Sequence, residues 1–126
     1  MKVLNIIETA YRATLEEQDD PVIWIIHAMK GAGADFGVVL GGNAVNYCLR
    51  SQGNPPLLFG ARQQRHAPKL PESVGALAAK GVEVCVLRED LEDRGLTGGE
   101  MIAGLRLMRR GELPKLMGNF DQVWHW

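Results

Sequence analysis

Gly81 to Leu96 reads GVEVCVLREDLEDRGL. Val82, Val84 and Val86 alternate as in a buried strand, and the charged residues after Leu87 form a turn and the start of a helix. A strand that hands straight over to a helix is the unit of an α/β sheet. At the carboxyl ends of such strands chemistry usually collects. Here that junction holds Arg88, Glu89 and Asp90, while the nearest thiol, Cys85, lies back inside the strand. The stretch therefore has the frame of an active-site loop without an obvious nucleophile.

Working outward, VLNII (Val3 to Ile7) reads as a first buried strand and FGVVL (Phe36 to Leu40) as a second. Between them, Asp19 or Asp20 can cap a helix with Pro21 in its first turn, running to about Lys30 ahead of Gly31. That helix is apolar nearly all round (Val22, Ile23, Trp24, Ile25, Ile26, Met29), and a chain this small has few elements to cover it. Burial against another subunit is the expectation. GGN at 41–43 opens a further helix, AVNYCLRSQ. A long loop follows from 53 to 69 with Pro55, Pro56 and Pro68, and LPESVGALAAKG forms a helix ending at Gly81. After the quoted strand come short helices around 90–94 and 98–103, a strand within 105–108, a helix over 112–117 and a last strand over 122–126. Alternation of this kind predicts a single domain, residues 1–126, with a mostly parallel sheet covered on both faces.

The totals narrow the function classes. The chain has 126 residues, 46% apolar and 23% charged, with a net charge of −1. It has no general attraction for nucleic acid or anionic lipid, so neither is an expected partner. The amino terminus reads as a strand followed by acids rather than a signal peptide, and PVIWIIHAM is too short to span a bilayer. Two cysteines, Cys48 and Cys85, without metal-ligand spacing point to free thiols, no metal and a cytoplasmic protein. No cofactor motif occurs. A flavodoxin would need a hydroxyl-rich loop where ETAYRATLEEQ stands. A phosphoreceiver could use Asp90 but lacks the paired acids after the first strand and the late lysine.

With the elements in order, the motifs resemble those of the DsrE/DsrF-like family of small sulfur-relay proteins. GGNAVNYCLRSQG at 41–53 resembles that family's helix opening, and GVEVCVLREDLEDRGL its third strand and turn, ending in Arg94-Gly95-Leu96. LPKLMGNFDQVWHW resembles its last helix and strand, with Asp121 before the strand and Trp126 at the end. The resemblance implies a three-layer α/β/α domain with a five-stranded parallel sheet, assembly into homotrimers or homohexamers, and sulfur-carrier proteins as partners. Members that do chemistry carry sulfur as a persulfide on a cysteine at the end of the third strand or in its turn. Those positions correspond here to Leu87 and Asp90. The resemblance thus implies a member that binds or scaffolds rather than carries.

Each candidate has a plain reading beside its functional one. Persulfide transfer needs an accessible thiolate near positive charge. Cys85, inside a strand and followed by Glu89, Asp90, Glu92 and Asp93, reads as a small hydrophobe, although Arg88 is close in sequence. Cys48 shares an apolar helix face with Ala44 and Val45. It is the better candidate for activation, because Arg50, Arg62, Arg65 and Lys69 occur with no acid between Asp35 and Glu72. If the chain is an enzyme, it is a sulfurtransferase using one of these thiols. Gly41, Gly42 and Asn43 admit two readings: Asn43 caps a helix, or the free N–H groups bind an anion such as a sulfur oxyanion or phosphate. Arg88, Glu89 and Asp90 form either a solvated charged surface or a docking patch for a basic partner. Glu8 ends the first strand without an identified partner, and His27, His66 and His125 are not spaced as metal ligands.

Overall fold

A computed structural model describes residues 1–12, 19–53 and 55–126, so the middle of the polar segment before Asp20 and residue 54 of the long loop lie outside the described residues. Strand β1 (Lys2–Ile7) leads to helix α1 (Pro21–Gly31) and strand β2 (Asp35–Leu40). A hairpin of β3 (Leu58–Phe59) and β4 (Arg62–Gln63) precedes α2 (Leu70–Ala79) and β5 (Glu83–Leu87). Then follow α3 (Arg88–Asp93), β6 (Arg106–Met108), α4 (Leu113–Met117) and β7 (Gln122–His125).

Five strands form one sheet in the order β6-β5-β2-β1-β7, every neighbouring pair parallel. Strand alternation assigns the side chains to two cores. On one face Val3, Ile7, Phe36, Val38, Leu40, Val84 and Val86 pack under α1 and α2. On the other, Leu4, Ile6, Val39, Cys85, Leu87 and Met108 pack under Leu116 of the short α4. Helices therefore lie on both sides, as expected. Each fully buried Leu, Ile or Val contributes roughly 1.5–3 kcal/mol.

Helix α1 begins where capping chemistry predicts. The Asp20 carboxylate accepts from the Val22 N–H at 2.9 Å and the Ile23 N–H at 3.3 Å, and Pro21 fills the first turn. Its inner face buries Val22, Ile23 and Ile26, and Trp24 on the outer face is 57% exposed.

Three expectations change. Residues Gly42–Cys48 form a 3₁₀ segment rather than an α-helix. The Cys48 carbonyl accepts from the Ile102 N–H at 2.7 Å, and the Arg50 N–H donates to the Glu100 carbonyl at 3.0 Å. The chain is thereby drawn out at Leu49, which bridges Met101, before an α-helical ladder can develop. The 98–103 stretch is not a helix but the other side of that bridge. Gly98 and Gly99 weaken a helix by about 0.5–1 kcal/mol each, and a Cβ at Gly99 would stand 3.0 Å from Leu49. The 53–69 loop contains the β3–β4 hairpin, whose Gly60 takes φ +62, the positive value a two-residue hairpin turn favours at its first position.

Candidate functional site

The carboxyl ends of β1, β2, β5 and β6 converge on one buried carboxylate. Because β5 passes into α3 with no intervening loop, Asp90 is carried in the first helical turn directly behind the strand end and is only 5% exposed. Its Oδ2 accepts the Gly42 N–H at 2.7 Å, and its Oδ1 forms an ion pair with the Arg110 guanidinium beyond β6. The Arg110 N–H donates to Glu89 Oε2 at 2.6 Å. The hydrogen bond and charge of Asp90, with smaller contributions from the charges of Glu8 and Glu89, hold the Arg110 guanidinium above its ordinary pKa.

The glycine pair is required by this crowding. Gly42 has φ +48, and a Cβ there would lie 2.7 Å from the Glu8 carbonyl oxygen. At Gly41 a Cβ would press on Leu87 at 3.1 Å and on Asp90 Oδ2 at 3.2 Å. Asn43 is not a cap: it lies inside the 3₁₀ segment, whose N-cap position is Gly41 and has no side-chain capping bond. Its N–H donates to the Glu8 carbonyl at 3.0 Å, and its Oδ1 accepts from Arg94 Nη2 at 3.0 Å and Nε at 3.2 Å. Arg94 also donates to the Asp90 carbonyl at 3.2 Å. Glu8 itself has a partner, with its Oε2 2.9 Å from His125 Nε2. The segment 41–43 thus holds an anion already, and that anion is the chain's own Asp90.

The thiols lie elsewhere. Cys85 is fully buried in the core under α4, with its Sγ 3.8 Å from Glu83 Oε1. Burial pushes its pKa up to about 11, with Arg106 opposing and Glu83 adding. Cys48 is fully buried in the opposite core, and burial pushes it up to about 11 as well. Neither thiol meets the anionic, reachable state that sulfur transfer requires. Leu87 and Asp90, the positions corresponding to the cysteine of the resembling family, are both buried.

Of the proposed docking residues, Arg88 is exposed and 4.0 Å from Glu92, Glu89 is half-buried and engaged by Arg110, and Asp90 faces inward. Beside Arg88 two adjoining cavities, about 270 and 330 Å³, open along β6. Arg50 pairs with Glu100 at 3.2 Å, whereas Arg65, His66 and Lys69 line a separate cavity with Asp19. The cations that serve the glycine pair are instead Arg94 and Arg110. The sequence reading takes Arg94 only as part of the Arg94-Gly95-Leu96 ending and does not single out Arg110, although two arginines directly after a strand (Arg109 and Arg110) are an available signal. It also passed over Tyr47, whose buried hydroxyl donates to Asp20 Oδ2 at 2.6 Å and accepts from the Tyr11 N–H. His27 packs between α1 and α2, with Nε2 2.8 Å from the Ser73 carbonyl.

This architecture has known counterparts. The chain shares its fold with the YchN protein of E. coli. The crystal structure of that protein superposes with a TM-score of 0.75 at 19% identity, covering 99% of this chain and 98% of the other. MTH1491 of Methanobacterium thermoautotrophicum, a protein of unknown function, superposes with a TM-score of 0.67 at 14% identity, covering 98% and 97%. At these identities the likeness is one of fold. No protein-family profile matches the chain, and no curated protein matches its sequence. Among the described residues no three His, Cys, Asp or Glu side chains are grouped to hold a metal ion, and no helix is long and apolar enough to cross a membrane.

Proposed function

We propose that this chain is a DsrE/DsrF-like homo-oligomer of the cytoplasm, associated with sulfur relay, that binds or scaffolds rather than carries sulfur. The family assignment rests on the motifs at 41–53, 81–96 and 113–126 together with the shared fold. One observation carries the non-carrier reading. The carboxyl end of β5, where a relay thiol would be loaded, is closed by Leu87 and by the Asp90–Arg110 pair, and both cysteines are buried on the sheet faces. A carboxylate there can hold neighbouring N–H groups in place but cannot accept sulfane sulfur.

Incubation with inorganic polysulfide followed by intact-mass measurement tests this reading. The native protein is expected to gain no stable sulfur. A sulfur adduct that disappears in Cys48→Ser or in Cys85→Ser alone would make the chain a sulfurtransferase after all.

A second reading has its own support. The Gly42 N–H holds the Asp90 carboxylate at 2.7 Å, while the Gly41 and Asn43 N–H groups donate to the Ile7 and Glu8 carbonyls, so a small oxyanion would bind at 41–43 by displacing Asp90 from Gly42. Calorimetric titration with thiosulfate and with phosphate checks it. Binding weakened by Asn43→Ala supports a ligand site, and no binding by the native protein removes it.

A further inference from the structure

After the β3–β4 hairpin the chain gathers basic side chains with little to balance them. No acid occurs between Asp35 and Glu72, and within that stretch Arg65, His66 and Lys69 line a cavity of about 370 Å³ together with Asp19. Among the described residues the side chains of these three make no ion pair and no hydrogen bond, whereas Arg50, Arg88, Arg106 and Arg110 each meet a carboxylate. The segment is fixed at both ends. The Gln64 N–H donates to the Leu57 carbonyl at 2.8 Å and Gln64 Oε1 accepts from the Leu57 N–H at 3.1 Å, while Pro68 and Leu70 are buried. The cavity also stands where a parallel sheet takes ligands. Asp19 adjoins Asp20, the cap of α1, and Lys69 is the residue from which α2 starts. Helices of such a sheet begin on the side of the strands' carboxyl ends, so both residues belong to that side.

We propose that this cavity binds a hydroxylated organic phosphate: a sugar phosphate, or the ribose phosphate of a nucleotide. Arg65 offers a planar fork to two phosphate oxygens, Lys69 a compact charge, and His66 a ring N–H. Asp19 decides the class. A carboxylate in the lining repels a bare inorganic anion, yet it accepts hydrogen bonds from the hydroxyls of a ligand whose phosphate the three basic groups hold. The volume lies within the range of small-molecule sites, roughly 300–1,000 Å³. Because the segment is already pinned, binding costs little further ordering. The site shares no residue with the glycine pair or the thiols, so it stands or falls separately from the sulfur reading.

Isothermal titration calorimetry on the full chain tests it with ribose-5-phosphate, ribose and inorganic phosphate. Ribose-5-phosphate is expected to bind more tightly than either of the other two. Arg65→Ala/Lys69→Ala should weaken it by roughly tenfold or more, through the loss of charged hydrogen bonds. Asp19→Ala should weaken ribose-5-phosphate but strengthen inorganic phosphate, because the repulsion leaves together with the hydroxyl acceptor. All three positions are exposed, so far-ultraviolet circular dichroism of the variants should stay native. Asn43→Ala should leave ribose-5-phosphate binding unchanged. Adenosine monophosphate separates the two sources of the ligand: tighter binding than ribose-5-phosphate assigns a nucleotide, and equal or weaker binding a sugar phosphate. No binding of ribose-5-phosphate, equally tight binding of inorganic phosphate, or an Asp19→Ala variant that binds both like the native chain would overturn the proposal. So would binding lost in Asn43→Ala but kept in Arg65→Ala/Lys69→Ala, which would move the ligand to the glycine pair.

Discussion

Asp90 organises the carboxyl end of the sheet, and its replacement separates charge from hydrogen bonding. Asp90→Ala removes the acceptor of the Gly42 N–H and the counter-ion of Arg110 together, and is expected to cost about 2–3 kcal/mol in urea unfolding. The loss stays below that of a fully buried pair because the Arg110 side chain is 51% exposed. Asp90→Asn retains an acceptor and should lose less. Equal losses would mean that the ion pair, not the Gly42 contact, holds the junction. The thiols make a prediction about alkaline pH. Both have folded-state pKa values raised from 9.0 to about 11 by burial, and burial also raises that of Tyr47. A raised value means the folded state keeps its proton longer than the unfolded chain. The corresponding stability is complete below about pH 9 and is lost as pH climbs through about 11. Melting temperature should therefore fall across that window, and Cys48→Ala/Cys85→Ala should flatten the fall. A thiol-directed reagent at pH 8 should react with neither cysteine until denaturant is added. The sequence made the two cysteines readable as core residues. It could not indicate what Asp90 touches, because Gly42 lies 48 positions away and Arg110 lies 20 away. Only the parallel crossovers bring those three together.

Among the elements, α4 has the heaviest task for its size. Its five residues cover a sheet face that two longer helices cover on the opposite side. Leu116 is its buried contact, and Gly37 admits the Phe120 ring that follows it: a Cβ at Gly37 would lie 2.5 Å from Phe120 Cζ. Leu116→Ala is expected to lose about 2–4 kcal/mol, and Gly37→Ala about 1–3 kcal/mol by overpacking. Calorimetry on the two variants checks this. If Leu116→Ala melts like the native chain, α4 does not secure that core. Elements with local signals were legible in the sequence. Asp20 and Pro21 start α1, and alternating valines mark β5. Elements that depend on distant pairing were not. The 3₁₀ form of 42–48 and the bridge at 98–103 each exist because of the other, and neither segment alone carries that information.

At the scale of the whole molecule, both cores share the same five strands, so neither can melt without unpairing the other's support. Urea unfolding followed by far-ultraviolet circular dichroism and by fluorescence is expected to give coincident single transitions. Separate midpoints would mean that one face opens alone. The seam between β1 and β7 supplies the fluorescence channel. Trp124 meets the Phe36 ring edge-on at 5.7 Å, and the Trp126 indole N–H donates to Asn5 Oδ1 at 3.1 Å, whereas the third tryptophan, Trp24, is already wet. With Trp24→Phe, all remaining indole emission comes from Trp124 in this lateral strand and Trp126 directly after it. A shift toward longer wavelength would then announce its peeling, and the chain would serve as its own optical gauge without an added dye.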